Sequence, residues 1–197
     1  MKYLTRITVD KRDALAQGTG DAYDWHQALW KAFPGHDGEE RTFLFRVDEN
    51  EGHFQAFLLS DLPVSLLAWG KWETKEISES FLSHSTYRFR LRANPTKRSN
   101  KGDNKGKRVG LYKEEEIKDW LARKAELSGF KTANFTVSKP VSDFFNKKGV
   151  KENKLNRVDF EGVLEVVDRE KFKTAFNDGI GSAKSLGFGM LIIQPIK

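Results

Sequence analysis

Tyr3, Thr5, Ile7 and Val9 alternate with Leu4, Arg6 and Thr8, a period of two that predicts a strand over residues 3–9. From residue 22 to about 33 the apolar positions take a helical spacing, with Asp21 in the N-cap position and Pro34-Gly35 as the stop. Residues 42–47 and 53–59 return to strand character, and Asp48-Glu49-Asn50-Glu51-Gly52 between them reads as a hairpin connection. Residues 63–72 fit neither period. The second half is more regular: a strand at 87–93, a helix at 114–126, strands at 134–138 and 157–166, a helix at 169–178 and a last strand at 190–193.

The second half therefore runs β-α-β-β-α-β, the order of a ferredoxin-like unit, and the first half opens on the same theme. Two such units in tandem predict an α+β architecture of antiparallel sheets, with residues 1–82 forming one unit and 87–197 the other. A chain of 197 residues is long enough for both to bury a core. The N-terminus passes directly into a strand pattern and no apolar run is long enough for a bilayer span, which predicts a cytoplasmic protein without membrane attachment.

Charge divides the chain unevenly. Residues 1–80 carry 9 basic and 14 acidic side chains, whereas residues 81–197 carry 25 and 14. Within the second half, Arg88, Arg90, Arg92, Lys97, Arg98, Lys101, Lys105, Lys107 and Arg108 face a single acid, Asp103. Such focused positive charge, beside Tyr87, Phe89 and Tyr112, points to a polyanion such as nucleic acid. Asn94-Pro95 and the run 100–106 make the tip of the segment turn-rich.

The absence of cysteine excludes disulfides, thiolate metal sites and a cysteine nucleophile. The four histidines, His26, His36, His53 and His84, show no metal-ligand spacing, so no metal or other cofactor is expected. His26 stands out because it shares a helical stripe with Tyr23 and Trp30, next to the wholly apolar stripe of Trp25, Leu29, Ala32 and Phe33. An imidazole and a phenol one turn apart suit proton transfer at a phosphate, and they equally suit the edge of a packed core. Near the C-terminus, Gly179, Gly181, Gly187 and Gly189 frame Lys184. This run can cradle an anion on its backbone N–H groups, or can simply cap a helix and turn the chain. It lacks the P-loop spacing.

Four segments together resemble the CasE family, the CRISPR repeat-RNA endoribonuclease of the type I-E Cascade complex. They are Asp21-Ala22-Tyr23-Asp24-Trp25-His26-Gln27-Ala28-Leu29-Trp30 with Phe33-Pro34, then Tyr87-Arg88-Phe89-Arg90-Leu91-Arg92-Ala93-Asn94-Pro95, then Phe160-Glu161-Gly162-Val163-Leu164, and finally residues 179–191. The resemblance implies metal-independent cleavage of CRISPR repeat RNA beside a stem-loop, with the ribose 2′-OH as nucleophile and a 2′,3′-cyclic phosphate and a 5′-OH as products. It implies that His26 and Tyr23 are active-site residues and that Lys154, in a segment that also holds Lys147, Lys148 and Lys151, stabilises the phosphorane. The implied partners are the repeat stem-loop, the mature crRNA and other Cascade subunits. A non-catalytic pair of RRM-like RNA-binding domains accounts equally for charge and fold, and leaves the Tyr23 and His26 pairing unexplained.

Overall fold

A computed structural model describes residues 2–36, 39–99, 106–145 and 153–196. The chain opens with β1 (Lys2–Asp10), whose inward residues Ile7 and Val9 are buried. A short helix that the hydrophobic pattern did not reveal, α1 (Lys11–Ala16), follows because the Asp10 side chain caps it by accepting the Arg12 N–H at 2.8 Å. Next come α2 (Ala22–Trp30), β2 (Phe43–Glu49), β3 (His53–Ser60) and β4 (Lys71–Ile77). The helix expected to reach residue 33 ends at Trp30. Ala32 and Phe33 instead donate to the carbonyls three residues back, as Pro34 disfavours helical backbone in the residue before it. The stretch that fitted neither period resolves into an irregular crossing that ends in β4.

These four strands form an antiparallel sheet in the order β2-β3-β1-β4. Ile7 of the central strand stands opposite Ala56 on one side and Trp72 on the other. The order is that of a ferredoxin-like unit, with no second helix between β3 and β4.

The second sheet starts at β5 (Thr86–Ala93). A small hairpin of β6 (Thr96–Arg98) and β7 (Arg108–Gly110) leads to α3 (Glu114–Leu127), then β8 (Phe130–Val137), β9 (Val141–Phe145) and β10 (Asn153–Val166). After α4 (Arg169–Asp178), capped by the Asp168 side chain, and the glycine run, β11 (Leu191–Pro195) completes the order β11-β5-β10-β8. The first half of β10 extends beyond this sheet to pair with β9, a ribbon that the alternation of apolar residues did not predict. All sheet pairings are antiparallel, so the α+β class holds.

Tyr87, Phe89, Leu91 and Ala93 of β5 are buried beneath α3 and α4 with Trp120, Phe160 and Phe172. Leu44 and Leu59 of the first sheet belong to that same core, while Trp25, Leu29, Phe33 and Phe45 pack in the other. An ion cluster adds a second link between the sheets. Asp48 accepts from Arg46 at 2.8 Å and from Arg92 at 3.1 Å, and it also pairs with Arg90; Asp159 accepts from Arg92 at 3.0 Å and pairs with Arg46 at 3.3 Å. Burial raises the Asp48 carboxyl, but the three guanidinium groups outweigh it and hold the group below the ordinary carboxylate range.

Candidate active site

Asp21 fixes where α2 begins. Its side chain accepts the Tyr23 and Asp24 N–H groups at 2.7 and 3.0 Å, and the Asp24 side chain accepts the Asp21 N–H at 3.1 Å, a reciprocal cap. Tyr23, His26 and Trp30 then fall on one half-buried stripe, with Trp25, Ala28 and Leu29 buried on the other. The helical period had anticipated this division.

His26 is enclosed by aromatic rings. Phe45 stacks on it at 6.2 Å between centroids, Phe43 lies at 5.9 Å, and the Trp30 indole approaches edge-on at 6.2 Å. The Trp30 Nε1–H donates to His26 Nε2 at 3.1 Å. Since an indole N–H only donates, Nε2 is the acceptor and the neutral ring carries its proton on Nδ1, which is buried without a hydrogen-bond partner. Burial, followed by the positive field of Arg41, lowers the His26 pKa from 6.5 to about 4. The ring is therefore neutral at physiological pH.

Arg41 was not singled out in the sequence, where it sits between Glu39-Glu40 and the start of a strand. In the fold its Nη1 donates to the Phe43 carbonyl and its guanidinium lies 5.7 Å from the Phe43 ring centroid. Lys184 belongs to a single 3-10 turn, Lys184–Leu186, that packs against both α2 and β2. Its ammonium is depressed by burial, with Asp178 opposing and Arg41 and Lys124 adding to the shift. The glycines make this docking possible. Gly187 has φ +80° and a Cβ there would lie 3.2 Å from the Phe45 ring; Gly189 has φ +83° and a Cβ there would lie 2.8 Å from the Ile180 carbonyl. Gly179 and Gly181 also have positive φ. The run thus shapes the wall behind His26.

Lys154 is exposed, with Nζ 5.5 Å from the Tyr112 ring centroid, and it lines a recess with Asn94, Arg108, Ser182 and Ala183. None of the described contacts joins it to His26. A neighbouring recess is lined by Lys97, Arg98 and Arg108 of the hairpin, by Arg123, Lys124 and Trp120 of α3, and by Gly181 and Ser182. Arg123 and Lys124 were not anticipated, although their place on the helix beside Trp120 could have marked them. Lys124 lies 5.9 Å from the Trp120 ring centroid.

The basic segment does not act as one surface. Lys97 pairs with Glu116 at 2.6 Å, while Arg98 and Arg108 stand opposite each other across the hairpin and are exposed, as is Lys107. Lys101 and Lys105 lie outside the described residues, as do Lys147, Lys148 and Lys151. Arg88, Arg90 and Arg92 point to the other face of β5, where Arg90 and Arg92 are held by Asp48 and Asp159. The same alternation that buries Tyr87, Phe89 and Leu91 sends these arginines away from the hairpin. Among the described residues no three His, Asp or Glu side chains are grouped to hold a metal ion, and no helix is long and apolar enough to cross a membrane.

The family model of CRISPR associated proteins matches residues 2–195, nearly the whole of this pair of antiparallel sheets. The chain belongs to this family, and within it to the CasE proteins. It is 34% identical over 190 residues to the Cascade subunit CasE of Escherichia coli, covering 89% of this chain and 93% of that protein. It is 30% identical over 218 residues to the CRISPR-associated endoribonuclease Cse3 of Thermus thermophilus, covering 98% and 100%. Among solved structures, Cse3 bound to a 19-nucleotide RNA superposes with a TM-score of 0.83 at 26% identity, over 98% of this chain and 100% of that one. Cas6e of Escherichia coli gives 0.73 at 30% identity, over 98% and 100%.

Proposed function

We propose that this protein is a metal-independent endoribonuclease that cleaves CRISPR precursor RNA within the repeats, next to the repeat stem-loop, and stays on the mature crRNA as a Cascade subunit. The observation that carries this reading is His26, neutral and held among aromatic rings within the field of Arg41, in a chain similar to CasE and to an RNA-bound Cse3 endoribonuclease. Residues 1–82 would supply the catalytic helix and 87–197 the basic hairpin and glycine run, in the cytoplasm where the transcript is made.

In this mechanism the RNA provides its own nucleophile. The 2′-OH takes the place of the Trp30 indole as donor to His26 Nε2, and the neutral imidazole accepts its proton as the 2′-oxygen bonds to phosphorus. The P–O5′ bond breaks, leaving a 2′,3′-cyclic phosphate and a 5′-OH. Tyr23, one turn earlier on the same helix face, supplies a phenolic donor toward the departing 5′-oxygen. Proton transfer by a positioned side chain is worth about 10² to 10⁴ in rate, and alignment of the 2′-OH with the leaving oxygen contributes further. The stem's phosphates lie along Arg98, Lys107 and Arg108 of the hairpin, with Arg123, Lys124 and Lys154 at its base, and Lys101 and Lys105, in the sequence between its strands, add to the charge available to them. Recognition of a duplex stem by shape and backbone suits such a groove.

Purified protein incubated with repeat RNA in EDTA should yield a 2′,3′-cyclic phosphate and a 5′-OH. A repeat with 2′-deoxyribose at the scissile nucleotide should bind and resist cleavage, and His26→Ala should bind without cutting. An absolute need for a divalent metal, or normal cleavage by His26→Ala, would refute the mechanism.

A further inference from the structure

The guanidinium of Arg41 is half-buried, and among the described residues no carboxylate pairs with it. It is fixed from two sides, by donation to the Phe43 carbonyl and by contact with the Phe43 ring, the ring that lies 5.9 Å from His26. The second cation on this side, Lys184, is brought up by the 3-10 turn that packs on α2 and β2. Two partly desolvated cations whose fields act on one another cost stability unless an anion lies with them. Asp178 is the carboxylate whose field reaches Lys184, whereas the charge felt at His26 is that of Arg41. From β2, Phe43 and Phe45 offer only apolar rings, and on α2 the titratable neighbour on the stripe is Tyr23. What is missing beside His26 is thus negative charge.

We propose that Arg41, assisted by Lys184, is the site that holds the scissile phosphate and stabilises its transition state. The assignment rests on the reading of the protein as a 2′-OH-dependent endoribonuclease. As the O2′–P bond forms and before P–O5′ breaks, the phosphodiester gains one negative charge on its non-bridging oxygens. A pre-placed guanidinium with its planar array of donors meets that charge without reorganising. Lys154, above Tyr112 and lining one recess with Ser182 and Ala183, then serves the RNA backbone beyond the reacting phosphate. The arrangement also couples binding to chemistry: the incoming phosphate offsets the field of Arg41, so His26 becomes a stronger base only when RNA is seated.

The test uses full-length wild type, Arg41→Gln and Arg41→Lys, with folding of each checked by thermal denaturation. Single-turnover cleavage of repeat RNA and NMR titration of His26 are both measured. The titration is run free and saturated with a repeat RNA whose single-stranded flank beside the hairpin is 2′-deoxy. Arg41→Gln should slow cleavage by about 10²- to 10³-fold, the effect of removing one transition-state donor. It should also raise the His26 pKa of the free protein, which a merely structural role would not do. Arg41→Lys should cleave at an intermediate rate and keep the pKa low. Bound RNA should raise the His26 pKa of wild type more than that of Arg41→Gln. If wild type cleaves and Arg41→Gln cleaves within about threefold of it, the proposal is overturned. Should wild type fail to cleave, the functional reading falls by itself, and the titration still decides: no rise on binding RNA removes the phosphate site.

Discussion

Replacing Trp30 by Phe keeps an aromatic ring next to Phe33 and Phe43, whose centroids lie 6.3 and 5.2 Å from that of Trp30, and deletes the donor to His26 Nε2. That bond forms only with the neutral imidazole, because a protonated ring has no lone pair left at Nε2. Its loss therefore destabilises the neutral form and raises the pKa. A net hydrogen bond of about 0.5–1.5 kcal/mol corresponds to an upward shift of roughly 0.4–1.1 pKa units at 1.36 kcal/mol each. Starting from about 4, the Trp30→Phe ring should titrate near 5 and still be neutral at pH 7. The assay is NMR titration of the four histidines, with His26→Gln assigning the signal. The pH dependence of kcat/KM supplies the second readout. Wild type should show its acid limb near pH 4 rather than at an ordinary histidine value, and the variant should shift that limb upward by the same amount. A His26 pKa unchanged within about 0.2 units, below the smallest shift that bond strength permits, would refute the reasoning.

Stability should fall on acidification. With a folded pKa of about 4 against 6.5 unfolded, the unfolded chain binds more protons between those values, so stability rises with pH through that window. Discounted for the half-exposed ring, roughly 1 kcal/mol should be lost from pH 7 to pH 5, and His26→Gln should flatten this limb in urea titrations. Asp48→Asn leaves Arg46, Arg90 and Arg92 facing one another between the sheets and should cost about 3–5 kcal/mol by urea denaturation; a cost below 1 kcal/mol would mean that the cluster is solvated. Gly187→Ala forces a side chain into left-handed backbone against Phe45 and should cost about 1–2 kcal/mol while slowing cleavage more than RNA binding. Neutralising Lys107 and Arg108 should flatten the dependence of log affinity on log salt by roughly 0.7–0.9 per lost phosphate contact, whereas neutralising Arg88 should leave it unchanged.

The positions of most elements were legible because local rules govern them. Asp21 as a cap, the stripe of Trp25, Leu29 and Phe33, the alternation through β5 and the start and end of α4 all follow from neighbours within a turn or two. β9 and the first half of β10 were not legible, since each is a strand chiefly by pairing with the other. The basic run from 88 to 108 shows the limit most plainly. Its charge was visible, but pleating sends Arg88, Arg90 and Arg92 to one face and the hairpin lies elsewhere, so a patch in sequence became an inter-sheet clamp and a separate groove.

By itself the sequence determined the α+β order, the asymmetry of charge and the stripe that sets Tyr23 and His26 on one helix face, all properties of spacing along a single chain. Only the tertiary structure decided the state of His26. Phe45 stacks on it from β2, Arg41 sets its positive field from just before that strand, and the glycine-shaped turn that packs on α2 and β2 comes from more than 150 residues beyond His26 in the chain. A pKa is set by burial and by charges a few ångströms away in space, and no local rule states which distant residues those will be.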